Sequence, residues 1–87
     1  MYKLIALTLS LLLVLAGCSG SEDRKAKYLQ SGLEHYQNDD CKKAKLDFRN
    51  VLQIDPKDAA ARVGLAKCLM EDKEWRKAFQ VLSSAVD

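Results

Sequence analysis

The chain has 87 residues, with 14 lysines and arginines against 12 aspartates and glutamates and a net charge of +2. A chain of this length forms one small domain at most. Charges of both signs are mixed along it and no basic stripe alternates with aromatic residues, so the sequence predicts no nucleic-acid partner.

The first element is an apolar run between a basic head and two small residues. Lys3 supplies the positive charge, residues 4–15 are apolar apart from two hydroxyl side chains, and Ala16-Gly17 follows before Cys18. This is the three-part layout of a secretory signal peptide. As a helix, a run of about 12 residues reaches only ~18 Å. Because the hydrocarbon core of a membrane is ~30 Å thick, the run predicts export rather than a transmembrane span.

The tetrapeptide Leu15-Ala16-Gly17-Cys18 resembles the lipobox of bacterial lipoproteins. The resemblance implies that the Cys18 thiol receives a diacylglyceryl group, that residues 1–17 are removed as a signal peptide, and that the new amino terminus is acylated, for instance with palmitate. It also implies an exported protein anchored to a bacterial membrane, and Ser19 in place of aspartate favours the outer membrane, facing the periplasm. An ordinary signal peptide with an incidental cysteine is the alternative. Residues 18–24 are predicted to be the lipid-bearing cysteine and a flexible tether, because the residues after Cys18 are small, polar and acidic.

The rest of the chain predicts four helices joined by tight turns, with no strand, and hence an all-α fold. Apolar residues recur at three- and four-residue spacing. They do so in four stretches: residues 28–36, 41–52, 59–70 and 75–86. Residues 38–40 offer caps for the second helix, Pro56 ends that helix, and Asp58 can cap the third.

The chain repeats itself at a distance of 34 residues. This shift lays Gly32 on Ala66, Ala44 on Ala78 and Phe48 on Leu82. A 34-residue period of paired helices is that of tetratricopeptide repeats, and the chain resembles that family in two units, residues 25–58 and 59–87. A generic four-helix bundle is the alternative. The resemblance implies a structural core made of Tyr28, Gly32, Ala44, Phe48, Pro56, Leu65, Ala78 and Leu82.

Several residues depart from the family pattern. They are Ser31 where leucine is usual, His35 where tyrosine is usual, Asp39 and Lys73 where glycine is usual, and Arg62 where an aromatic residue is usual. Trp75, which begins the fourth helix, is predicted to anchor the core rather than to stand exposed as a binding platform.

A narrower resemblance combines the lipobox with residues 43–56 and 75–78. These resemble the amino-terminal end of large repeat-array lipoproteins, some of which accompany exopolysaccharide and surface-protein sorting systems in Gram-negative bacteria. Two hypotheses for function follow. One is a membrane-anchored scaffold or adaptor that binds a protein partner, and the other is the amino-terminal part of a longer array whose binding function lies in further repeats.

No motif in the sequence predicts catalysis, a metal or a cofactor, so the chain is predicted not to be an enzyme. His35 is the one histidine, and no nucleophile has sequence support as its partner. Asp39-Asp40 lies at a helix start, where carboxylates accept free backbone N–H groups, and no further metal ligands converge on it. Cys41 and Cys68 lack Cys-x-x-Cys spacing, so they are either small buried residues or, in an oxidising compartment, a disulfide.

The family resemblance places partner binding on the concave face formed by the first helix of each unit. The predicted contact residues are Leu29, Leu33, Tyr36, Gln37, Val63, Lys67, Met70 and Glu71. The alternative is that some of these residues only pack against one another. Family members that hold a terminal carboxylate use lysine and asparagine on this face; the matching places here hold Leu29, Gln30, Leu33 and Val63, so that activity is not implied.

The last helix predicts a second apolar surface. Leu82, Ala85 and Val86 are expected to be partly exposed, together with Phe79. An uncovered apolar face on so small a core predicts self-association, docking of a partner helix or marginal stability.

Overall fold

A computed structural model describes residues 20–84 of the chain. Within them lie four helices and no strand: α1 is Gly20–Gln37, α2 is Cys41–Ile54, α3 is Ala59–Glu71 and α4 is Trp75–Ser84. The all-α fold and the four predicted helices are therefore confirmed. The predicted signal peptide, the predicted lipidation site Cys18, and Ala85 and Val86 lie outside the described residues.

The first helix begins earlier than the sequence predicts. Residues 20–24, expected to belong to a flexible tether, form the start of α1. Glu22 and Asp23 lie in its first turn, where carboxylates interact favourably with the unpaired N–H groups of a helix terminus. Lys25 Nζ lies 3.6 Å from Glu22 Oε2, one turn away. Because these charges favour a helix start, little of the predicted tether is left between α1 and Cys18.

The turns form as the local sequence predicts. The Asp40 carboxylate accepts a hydrogen bond from the Lys43 N–H, and the Asp58 carboxylate accepts one from the Ala61 N–H, so both residues cap the helices that follow them. Asp55 has an extended backbone and ends α2 directly before Pro56.

Two non-glycine residues adopt the left-handed backbone conformation. Asp39 has a φ of 59° and Lys73 a φ of 61°. Both lie in the turn inside a helix pair, 34 residues apart, at the places where the family usually has glycine. Residues with a Cβ pay a steric cost in this conformation.

Each helix packs against the next one along the chain, and α1 also contacts α3. The core lies between these helices. It consists of Ala44, Phe48, Val51, Ala61, Leu65, Ala66, Cys68, Leu69 and Ala78. Predicted core residues Gly32, Ala44, Phe48, Leu65 and Ala78 are buried.

Three other predicted core residues are not buried. Tyr28 and Leu82 are each more than a third exposed, and Pro56 is exposed in the turn between α2 and α3. The prediction that Trp75 anchors the core is wrong, because its side chain is 62% exposed. Leu82 and Trp75 lie on the outer face of α4, where no other described helix covers them.

Arg62 takes a structural role that its position in the family pattern does not suggest. Its Nε donates a hydrogen bond of 2.7 Å to the Pro56 carbonyl, and its Nη1 donates one of 3.1 Å to the Val81 carbonyl. Arg62 therefore connects the α2–α3 turn to the last turn of α4. A cation at this end of a helix also interacts favourably with the helix dipole.

Among the described residues, no helix combines the length and apolar character needed to cross a bilayer.

Candidate binding groove

A groove with a volume of about 430 Å³ runs between α1 and α3. It extends along α3 from the first turn to Lys67. Its lining consists of Leu33, Tyr36, Phe48, Ala59, Ala60, Val63, Gly64 and Lys67. Nearly all of these side chains are apolar, so the groove suits an apolar group of a ligand or partner.

The floor of the groove depends on two glycines that lie against one aromatic ring. A Cβ added at Gly32 would lie 2.8 Å from Phe48 Cε1, and one added at Gly64 would lie 2.5 Å from Phe48 Cζ. Any side chain at either position would displace the ring. Gly32 and Gly64 therefore let α1 and α3 approach Phe48 of α2 from two sides, and this approach sets the width and depth of the groove.

One cation lies among the lining residues. Lys67 Nζ is 6.0 Å from the centre of the Tyr36 ring, a weak cation–π contact that joins α3 to α1. Within residues 20–84, no carboxylate pairs with this ammonium. The Glu71 carboxylate, one turn further along α3, lies instead 3.1 Å from Cys41 Sγ.

A cluster of charges lies at the start of α3, next to Ala59. Lys25 Nζ is 3.1 Å from Asp55 Oδ2 and 3.5 Å from Asp58 Oδ2. The hydrogen bond to Asp55 raises the pKa of Lys25, and nearby carboxylate charge adds to the effect. That same bond, with a second from the Lys57 N–H, lowers the pKa of Asp55. The cluster ties α1 to the turn before α3 and surrounds one ammonium with several carboxylates.

The other end of the groove is braced by covalent and ionic contacts between α2 and α3. Cys41 and Cys68 form a disulfide with a Cα–Cα distance of 5.4 Å. Of the two readings that the sequence left open, the structure thus supports the disulfide. Lys45 of α2 also pairs with Asp72, which directly follows α3. These contacts join the first helix pair to the second.

The predicted contact residues fall into two groups. Leu33, Tyr36, Val63 and Lys67 line the groove. Of the others, Leu29 and Met70 are partly buried against the core, while Gln37 and Glu71 are exposed outside the lining. The involvement of any of them in binding stays a prediction.

Sequence reasoning missed the role of Phe48 and Gly64 in the groove. Phe48 was assigned to the core alone, yet its ring also forms the floor. A signal for Gly64 was present, since glycine in the middle of a helix lowers helix stability and therefore often marks a close approach.

Ser31, His35 and Asp47 lie together between α1 and α2 but do not form a catalytic triad. The Ser31 hydroxyl donates to Asp47 Oδ2 at 2.8 Å, and His35 Nε2 lies 3.7 Å from the same oxygen. Aspartate thus stands between serine and histidine, whereas activation of a serine needs histidine in that place. Among residues 20–84, no three histidine, cysteine or acidic side chains form a group that could hold a metal ion.

Comparison with known proteins agrees with this architecture. The tetratricopeptide repeat family matches residues 28–87. The chain is also similar to the type IV pilus assembly protein PilF of Pseudomonas aeruginosa, with 33% identity over 67 aligned residues that cover 69% of this chain and 27% of that protein. The chain thus spans about a quarter of that relative's length. No solved structure matches the chain.

Because the family match extends over most of the chain, the protein belongs to the tetratricopeptide repeat family. Repeats of this family form protein–protein interaction modules, in agreement with the open groove between α1 and α3.

Proposed function

We propose that this protein is a non-enzymatic adaptor, lipid-anchored in a bacterial envelope, that holds a partner protein in the groove between α1 and α3. The observation that carries the proposal is the exposure of large apolar side chains along this groove. Leu33 and Val63, on opposite walls, are each 44% exposed. Leaving them in water is unfavourable, and a partner's apolar side chain would cover both.

A matched pair of variants tests the groove. Leu33→Glu places a charge on the groove wall, and Leu46→Glu makes the same change at an exposed leucine of α2 outside the lining. In a pull-down from native membranes with the full chain, Leu33→Glu is expected to lose the partner and Leu46→Glu to keep it. Equal capture by both variants, with circular dichroism showing both folded, would place binding elsewhere.

The anchoring part of the proposal rests on the lipobox-like residues before Cys18. Acyl chains contribute ~0.8 kcal/mol per buried CH₂, so two or three of them hold a protein firmly. The Cys41–Cys68 disulfide supports export, because such bonds persist mainly in oxidising compartments. Cys18→Ser is expected to abolish incorporation of a labelled fatty acid; unchanged labelling would contradict lipidation at this residue. Ser19 supports the outer membrane as the destination, and fractionation of the two membranes tests this point.

The proposed setting is assembly or export at the cell envelope. The similarity to a protein named for type IV pilus assembly supports such a setting. The narrower candidate, the amino-terminal part of a longer array that serves exopolysaccharide or surface-protein export, is supported by the outer face of α4. Trp75, Phe79 and Leu82 are exposed there. At the equivalent places the first unit has Cys41 and Phe48, which contact α3, and Lys45, which pairs with Asp72 directly after α3.

Self-association is the competing proposal for the outer face of α4. A head-to-tail stack would lay this face on α1 of a second copy. The residues equivalent to Gly64, Cys68 and Asp72 are Gln30 and Glu34 of α1 and Asn38 of the turn after it, and all three are polar and exposed. They offer little apolar surface to Trp75, so we expect a dimer that uses this face to pair α4 with α4. Light scattering of the wild type and of Phe79→Glu tests this: a dimer that persists in the variant would exclude this face.

A further inference from the structure

The groove has opposite electrostatic character at its two ends. Beside the first turn of α3, Lys25 is surrounded by Glu22, Asp55 and Asp58, so negative charge is in excess. At the other end Lys67 lies against the Tyr36 ring with no carboxylate partner among the described residues. Lys67 follows the cap residue Asp58 by nine positions along α3, a rise of ~13.5 Å.

We propose that the groove binds a short peptide segment in which a large apolar side chain lies between Leu33 and Val63 and a nearby aspartate or glutamate side chain pairs with Lys67. The inference rests on the groove function proposed above and names the chemistry of the partner. About four extended residues span the groove. The excess of carboxylates around Lys25 repels an acidic residue at the opposite end, which fixes the direction of the segment.

The position of Lys67 favours a side-chain carboxylate over a chain terminus. Terminal carboxylates are held by nests of free backbone N–H groups or, in this family, by a set of lysine and asparagine side chains, whose places here are taken by Leu29, Gln30, Leu33 and Val63. Lys67 lies in the interior of α3, where the backbone N–H groups are used within the helix. A single ammonium beside an aromatic ring offers one charge and no nest, and this matches one acidic side chain.

Capped heptapeptides provide the probe, because acetyl and amide caps remove both terminal charges. Each contains one central phenylalanine and, two positions later on the same face of the extended chain, aspartate, asparagine or lysine. Fluorescence anisotropy with the full chain in detergent is expected to show the aspartate peptide binding about three to five times more tightly than the asparagine peptide, as for other exposed ion pairs. The preference should weaken as salt is raised.

Variants at Lys67 separate this proposal from the groove function itself. Lys67→Gln should abolish the preference for aspartate, Lys67→Glu should favour the lysine peptide, and Lys42→Gln, at an exposed lysine outside the lining, should change nothing. Leu33→Glu should weaken all three peptides by making the groove wall polar, and should weaken the aspartate peptide most because it adds a negative charge.

Three results would overturn the proposal. In the first, the wild type binds the aspartate and asparagine peptides equally, or the preference survives in Lys67→Gln. In the second, an uncapped peptide without aspartate binds better than the capped aspartate peptide, which makes the occupant a chain terminus. In the third, no peptide binds although the wild type captures a partner that Leu33→Glu loses. The first and third results leave the proposed groove function intact and reject only the apolar–acidic peptide as its partner. If Leu33→Glu instead leaves peptide binding unchanged, the groove function itself fails.

Discussion

The second helices of the two repeat units, α2 and α4, occupy equivalent places 34 residues apart but differ in burial. In α2, Phe48 is fully buried, because α1 covers one side of the helix and α3 the other. In α4, the equivalent Leu82 is 38% exposed, since only α3 lies against it among the described helices. Ala44 and Ala78, which face inward within their own pairs, are buried alike. A residue that faces its own helix pair is thus buried by its own unit, whereas a residue that faces the next unit is buried only when that unit is present.

Truncating the equivalent residues Phe48 and Leu82 to alanine should give the largest difference in the free energy of unfolding between the two units. Phe48→Ala removes a buried ring and leaves a cavity, a change that typically costs about 3–5 kcal/mol. Leu82→Ala removes a partly exposed side chain and should cost about 1 kcal/mol, by the area it still buries. Urea denaturation followed by circular dichroism measures both. Equal losses would show that α4 is covered as completely as α2 in solution.

The disulfide gives the second contrast. Cys41 and Cys68 are 27 residues apart, and closing a loop of this length stabilises a fold by about 3–4 kcal/mol in the chain-entropy model. Cys41→Ala should therefore lower the free energy of unfolding by roughly that amount. Trp75→Ala, at the equivalent place in α4, should change stability little, since its ring is mostly in water. If adding a reductant leaves the urea midpoint of the wild type unchanged, the bond contributes nothing to stability.

Replacing the left-handed turn residues Asp39 and Lys73 by glycine should change stability by less, and should raise it. Lys73→Gly relieves the Cβ crowding at a φ of 61°, and should raise stability by about 0.5–1 kcal/mol after the entropic cost of glycine. Asp39→Gly should gain less, because aspartate tolerates this conformation better than lysine does. Thermal melting of the two single variants ranks them. A lower melting temperature for Lys73→Gly would mean that the lysine side chain stabilises the turn.

The Lys25 cluster should have the smallest effect on stability. The second unit lacks such a cluster, because Ala59 occupies the place equivalent to Lys25. Since the pKa of Asp55 is lowered, its contribution is present above its ordinary value of 3.8 and is lost as pH falls through the lower folded value. The raised pKa of Lys25 adds stability below 10.5, lost at higher pH. Lys25→Met should therefore reduce the loss of stability between pH 7 and pH 3. An identical loss in the variant would show that other carboxylates dominate acid unfolding.

Much of the fold could be predicted because its signals are local or periodic. Asp40 and Asp58 cap helices with their own side chains, and Pro56 excludes a helical backbone at Asp55, so helix ends follow from a few neighbouring residues. The groove was predicted less completely. Leu33 and Lys67 were found from the repeat pattern, but Phe48 and Gly64 were missed as lining residues because they meet only when three helices come together.

The all-α fold, the 34-residue pairing and the helix limits other than the start of α1 follow from the amino-acid sequence alone, because hydrogen bonding, capping and side-chain period act over a few residues. Which apolar residues are covered, by contrast, depends on how the helices pack. Trp75 and Phe48 are both large aromatic residues on helices, yet one lies in water and the other between two glycines. The difference arises because burial depends on whether a neighbouring helix covers the side chain, and the local sequence around Trp75 or Phe48 does not determine this.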